Sequence, residues 1–412
     1  MRITALALAP DAQRLKPGYP PRGSYLTLAP NIELCRLAAV AAPGDSLTCV
    51  DERVADSRDL PDADVTLVHV GFGCHGAACR FAAAGRGPGT VVFCGPQATA
   101  WGDSPPEAVR HCVCGEVALA WPELRARLAD ESLPRVLRAA PTPAYVQPDM
   151  TGSRLSGFDT RYQAMRFARG CHCPPESASF CPERLYFRDA VRLRSADEII
   201  GEIISLPGKL VHLLDDDVAA VPEYYTDLFR LLWHYRRHWT VRASTRLLRH
   251  PDLVDALSRS GTRVVWFDET FLRPVVENRA DAERTVRALY RSVKTLHSAR
   301  MLAGATVTLG PDAAHADYRP MLTAIRRTDL DFLAVRRINF GPGGAIDIEA
   351  ASYAPTITPT DPAWVEGGFC SIGSILDRAV RRPRRVGFYN TLVYFLPISL
   401  AARQDFLEGT AR

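Results

Sequence analysis

Cys171, Cys173 and Cys181 stand together in the segment RFARGCHCPPESASFCPER, directly after an apolar run that reads as a β-strand. Three thiols converging in a loop at a strand end offer the soft ligands an iron-sulfur cluster takes, and the strand fixes the loop in place. Gly71, Gly73, Gly76 and Gly95 mark two further loops, after the runs VTLVHV and TVVFC. Glycines there let the backbone turn sharply and approach a flat ligand or a neighbouring strand. Other cysteines need no such role: Cys35, Cys49 and Cys94 lie in or beside apolar segments, where a thiol behaves as a small core residue.

Two alternating series of elements must position these residues. From Met1 to about Ala139, the runs ITALALA, SLTCVD, VTLVHVGF and TVVFCG alternate with helical stretches such as IELCRLAAVAA and ACRFAAAG, the pattern of a parallel sheet wrapped by crossover helices. Ligands of open sheets of this kind bind at the carboxyl ends of the strands. A Pro-, Thr-, Ser- and Gly-rich stretch follows and reads as a linker. The second series predicts strands at Met165–Arg169, Leu210–Asp215, Trp239–Ser244, Arg263–Glu269, Leu302–Gly310 and Asp331–Asn339. Helices separate them, one opening on a Ser195 cap with Glu198 three residues on. The expected fold class is therefore α/β: a doubly wound parallel-sheet domain over 1–140, a linker over 141–160, a partial (β/α)6 barrel over 161–340 and a C-terminal capping segment over 341–412.

With 412 residues, 47% of them hydrophobic, the chain can bury more than one core. Its 50 Lys and Arg are interspersed with 46 Asp and Glu, leaving a formal charge of +4, so no nucleic-acid partner is expected. No run approaches the roughly 18 consecutive apolar residues of a membrane span, and MRITALALAPD is too short in apolar residues for a secretory signal. These features predict a cytoplasmic protein with no membrane partner, whose 11 cysteines are reduced thiols.

Arg169-Gly170-Cys171 and Ser179-Phe180-Cys181 resemble the head and tail of the R-G-C-x-x-x-C-x-F-C motif of the radical S-adenosylmethionine superfamily. Ala178 stands in place of the family's middle cysteine, the loop is longer, and Cys173 offers a substitute thiol. The resemblance extends to VFCGPQAT and CGEVALAWPELRARL, which are similar to cobalamin-binding domains fused upstream of such barrels. The chain thus resembles the cobalamin-dependent radical S-adenosylmethionine family.

That resemblance implies three cofactors: a 4Fe-4S cluster held by Cys171, Cys173 and Cys181, S-adenosylmethionine, and cobalamin. It implies that Asp215 and Asp216, in LVHLLDDD, face the amino group of S-adenosylmethionine, where fixed negative charge stabilises a cation. Asp217 reads equally as a helix cap. Glu269 and Thr270, in RVVWFDETF, fall near the adenosyl and methionyl groups. Arg242 can pair with the cofactor carboxylate or with an aspartate of the barrel. Gly95 and Thr99 are the cobalamin-binding candidates of the first domain, and His75 either approaches the corrin or contributes a hydrogen bond. Tyr389, Asn390 and Tyr394 line the substrate pocket by position alone.

The activity implied is methyl transfer, by radical or variant polar chemistry, to a small-molecule substrate, an intermediate of natural-product or antibiotic biosynthesis, with an external electron donor where radical chemistry operates. One S-adenosylmethionine methylates cob(I)alamin, and a second yields a 5'-deoxyadenosyl radical at the cluster. The altered cysteine loop leaves two alternatives open. One is a non-methylating rearrangement or oxidation enzyme. The other is a barrel that has lost the cluster and acts through cobalamin or partner binding.

Overall fold

The computed structural model describes residues 1–9, 31–58, 60–140, 144–149, 162–171, 182–187, 191–268, 271–272, 282–309, 319–340, 346–350, 369–381, 383–396 and 399–400. They divide into two compact units, one reaching from Met1 to Pro207, the other holding Gly208–Ile338 and the C-terminal segment.

The first unit is built on six strands, β1 (Arg2–Ala7), β2 (Ser46–Asp51), β3 (Val65–His69), β4 (Thr90–Cys94), β5 (Cys112–Cys114) and β6 (Val136–Arg138). All pair in parallel in the order β2-β1-β3-β4-β5-β6. Successive residues of a strand point to opposite faces, so each face needs its own apolar set. Ile3, Ala5, Leu67 and Val92 meet Leu34 and Leu37 of α1 (Ile32–Val40) and Trp121 and Leu124 of α4 (Val117–Ala129) on one face. On the other, Leu6, Val68 and Phe93 meet Phe81 of α2 (His75–Ala83) and Trp101 of α3 (Pro96–Trp101). Helices on both faces make the domain doubly wound, as the sequence pattern requires. The strand order reverses between β1 and β3, which opens a crevice at their carboxyl ends. Cys35, Cys49 and Cys94 are buried as core residues.

Past the sheet, the unit continues through β7 (Tyr162–Met165), β8 (Ala168–Arg169), α5 (Pro182–Phe187), β9 (Arg192–Leu193) and α6 (Ala196–Ser205). The single strand expected over Met165–Arg169 is two strands. Phe167 accepts the backbone N–H of Arg194, and β8 pairs antiparallel with β9. The break turns Arg169 inward, where its side chain is buried. Ser195 and Glu198 close the capping box of α6 as expected.

The second unit holds five parallel strands in chain order, β10 (Leu210–Leu213), β11 (His238–Ala243), β12 (Thr262–Phe267), β13 (Leu302–Leu309) and β14 (Phe332–Phe340). The intervening helices are α7 (Pro222–Leu232), α8 (Pro251–Arg259), α9 (Ala282–Ser298) and α10 (Arg319–Arg327). On one face of the sheet, Val264, Trp266, Leu302 and Phe332 pack against Ile375 of α11 (Ile372–Arg381) and against Val386 and Phe395. Gly304 carries no side chain because the Trp266 indole occupies that space, and the indole N–H donates to Thr306 Oγ1 at 2.7 Å. Asn390 is buried, and its amide donates to the Arg300 carbonyl at 2.7 Å and to that of Val386 at 3.1 Å. That residue braces the C-terminal segment. Among the described residues, no helix is long and apolar enough to cross a membrane.

Candidate functional site

The carboxyl edge of the first sheet carries a buried imidazole that sequence reading passes over as part of a strand. His69 ends β3 between the ends of β1 and β4, where Ala7 and Cys94 are its lateral partners. Asn31, the N-cap of α1, accepts the Glu33 N–H at 2.9 Å and donates its amide to His69 Nδ1, 3.2 Å away. That bond leaves the proton on Nε2, which is buried without a hydrogen-bond partner among the described residues. Burial holds the imidazole below its ordinary pKa and therefore neutral, against the pull of Glu33 and Asp51. A buried N–H with no partner among the described residues calls for an explanation, and a ligand acceptor supplies one.

Gly95 faces that imidazole. Its φ of 96° suits glycine, and a Cβ there would stand 2.8 Å from His69 Cδ2 and 2.9 Å from Nε2. Thr99 serves the fold of the same edge: its hydroxyl donates to the Gly95 carbonyl at 2.9 Å and accepts the Gly115 N–H at 2.8 Å, tying the loop after β4 to the loop after β5. His75 is the first residue of α2. Its Nδ1 accepts the Trp101 indole N–H at 3.0 Å, and its Nε2 lies 3.6 Å from Cys79 Sγ. Both ring nitrogens are thus engaged inside the domain.

Behind this edge lies a buried ionic cluster. Glu116, the N-cap of α4, is shared by three guanidiniums: Arg36 at 2.6 Å, Arg169 at 2.7 Å and Arg192 at 2.9 Å. Arg36 also pairs with Glu33 at 3.1 Å, and the Tyr186 hydroxyl donates to Glu33 at 3.1 Å. Burial pushes the Glu33 carboxyl up, but the Arg36 and Arg166 charges and the Tyr186 hydrogen bond outweigh it and hold the group below the usual carboxylate range. Arg194 pairs with Glu202 at 2.7 Å, yet burial wins there and raises the Glu202 pKa.

Cys171 follows Arg169 through Gly170, whose φ of 91° turns the chain out of β8, and its thiol is half-buried. Cys173 and Cys181 lie outside the described residues, as do Glu269 and Thr270. Among the described residues, no three His, Cys, Asp or Glu side chains converge as metal ligands.

In the second unit, the acidic run sits past the end of β10. Asp215 is buried and accepts the Tyr225 hydroxyl at 2.7 Å. Asp217 accepts the N–H groups of Ala219 and Ser244, both at 2.9 Å, and pairs with Arg246 at 3.2 Å, so it shapes the loop. Asp216 and Arg242 meet at 3.6 Å, with side chains 40% and 31% exposed. The pair joins the carboxyl ends of β10 and β11 and keeps part of each charge open to solvent.

The fold has counterparts among solved structures. It is similar to the cobalamin-dependent S-adenosylmethionine radical enzyme OxsB with aqua-cobalamin bound, at a TM-score of 0.53 and 10% identity over 81% of this chain and 53% of that one. The same enzyme with S-adenosylmethionine also bound gives a TM-score of 0.54 at 10% identity, over 81% of this chain and 52% of that one. The chain has the fold of a cobalamin-dependent radical S-adenosylmethionine enzyme. A curated relative, the bacteriochlorophyllide d C-12(1)-methyltransferase of Chlorobaculum tepidum, is 23% identical over 261 residues, 59% of this chain and 56% of that protein. The chain spans about half the length of the proteins it matches. No family model matches the sequence.

Proposed function

We propose that the chain is a cobalamin- and S-adenosylmethionine-dependent enzyme that methylates a small-molecule intermediate of natural-product or antibiotic biosynthesis. Residues 1–140 hold cobalamin at the β1/β3 crevice, and residues 161–340 hold S-adenosylmethionine beside a 4Fe-4S cluster on Cys171, Cys173 and Cys181. The observation that carries the reading is the His69 Nε2 at the switch point of the first sheet, set against Gly95 and without a partner among the described residues. A buried donor without a partner among the described residues, at the switch point of an open sheet, fits a ligand with polar groups at its rim. The likeness to OxsB supports cobalamin as that ligand, and the methyltransferase relative supports the reaction class.

Cobalamin and the cluster supply the methyl group and the radical when bound. The protein's part is to bind and orient: His69 donates at the first edge, while Asp216 and Arg242 offer one charge of each sign to the amino and carboxylate groups of S-adenosylmethionine. An external electron donor in the cytoplasm completes the scheme.

Anaerobic incubation with both cofactors, a reductant and candidate intermediates is expected to give S-adenosylhomocysteine together with a methylated product. Product with no 5'-deoxyadenosine would redirect the reading to polar methyl transfer, and absence of both products would oppose methylation. Ala178, in place of a cysteine, favours one second reading, a barrel that acts without a cluster. Background iron after anaerobic reconstitution would select it.

A further inference from the structure

We propose that the Glu116–Arg169 pair is a positioning lock for the end of β8, fixing the backbone from which Cys171 leaves that strand. The inference rests on the reading of Cys171 as a cluster ligand. It adds a role for Glu116 and Arg169 that involves no contact with cofactor.

Arg169 stands two residues before Cys171, and its side chain turns away from the loop into the domain, where it is 1% exposed. Its Nη1 donates to both Glu116 oxygens, at 2.7 and 3.0 Å, and its Nη2 donates to the Ala144 carbonyl at 2.7 Å. Glu116 is itself held from α1 by Arg36 and from β9 by Arg192. Arg36 also donates to the Val146 carbonyl at 3.2 Å. Between those two carbonyls, the Tyr145 ring is flanked by Arg36, Arg169 and Arg194, at 5.3, 5.1 and 3.8 Å from its centroid.

One carboxylate therefore ties together the helix that opens behind the first sheet edge, the segment leading out of the sheet, and both strands flanking the cysteine loop. A planar guanidinium held at two acceptors fixes the strand end in angle as well as distance, which a single ammonium cannot do. Gly170, at φ 91°, then sets the exit direction. Partners one layer behind a metal ligand set its orientation, and their loss typically lowers metal affinity about 10- to 100-fold.

The test uses the full chain with Arg169→Met, Arg169→Lys and, as a control, Glu202→Gln. The control breaks the buried Arg194–Glu202 pair of the same unit without touching Arg169. Peptide-resolved alkylation of Cys171 by N-ethylmaleimide in the apo protein reads that strand end directly. Arg169→Met is expected to speed labelling several-fold, Arg169→Lys to fall between it and wild type, and Glu202→Gln to match wild type even where it lowers the melting temperature. Should Arg169→Met fail to fold, the lysine variant carries the comparison. Equal Cys171 labelling in wild type and the Arg169 variants, or an equal rise in Glu202→Gln, overturns the proposal. Iron retention against a chelator, measured in parallel, separates the two levels. Iron-free wild type removes the cluster reading, while the labelling series still decides the lock.

Discussion

Glu116 and Asp216 each meet arginine at a strand-end loop, and they do it in opposite ways. Glu116 is 4% exposed and saturated by three guanidiniums within 2.9 Å. Asp216 is 40% exposed and meets one guanidinium at 3.6 Å. A buried, fully partnered charge is already committed to its neighbours, because any displacement strands an ion without water. A half-exposed pair at longer range is weakly committed and can exchange its partner for a ligand group. The Glu116 cluster thus uses charge as a joint, and the Asp216–Arg242 pair keeps part of its charge open to solvent.

The comparison breaks if the two carboxylates respond alike to neutralisation. Glu116→Gln is expected to destabilise the protein by about 3–5 kcal/mol, because Arg36, Arg169 and Arg192 lose their shared counter-ion while buried. Chemical denaturation checks this value, and a loss below about 1 kcal/mol would mean that the cluster admits water. Gly95→Ala comes next, with an expected loss of about 1–3 kcal/mol from the left-handed backbone and the contact with His69. Cobalamin uptake by that variant should fall with it. Asp216→Asn should change stability by less than about 1 kcal/mol and instead weaken S-adenosylmethionine binding in calorimetry. Unchanged affinity there would remove the recognition role.

Stability also carries a pH dependence, to which each unit contributes through one imidazole. Burial, aided by Arg263 and Lys209, pushes the His238 pKa down to about 4, and burial lowers that of His69. The unfolded chain protonates both near pH 6.5, so below that pH it binds more protons than the folded protein and stability falls. For His238 the loss continues down to pH about 4. His238→Gln should flatten the dependence of the second unit, and His69→Gln that of the first.

Local pattern made most of the framework legible. The apolar runs of the first domain predict its parallel sheet, Ser195 and Glu198 predict the start of α6, and five of the second-series runs become β10–β14. The break at Arg166 and Phe167 was not legible, because it depends on pairing with β9 beyond the cysteine loop. Nor was the Glu116 cluster, since Arg36, Arg169 and Arg192 come from separate segments and nothing local pairs them with Glu116. His69 did leave a signal: an imidazole at the end of a run that a parallel strand buries on both faces must find a partner or await one. Thr99, a cobalamin candidate from the resemblance, and Asn390, a pocket candidate by position, each bond backbone groups of the fold, a use that pattern alone does not reveal.

Absorption titration of the purified chain with hydroxocobalamin, wild type beside His69→Phe and Gly95→Val, tests the central claim most directly. Saturable binding of one equivalent by wild type, weakened at least tenfold in both variants while the fold persists by circular dichroism, is the expected result. No saturable binding by wild type, or equal binding by all three proteins, would contradict a cobalamin site at the β1/β3 crevice.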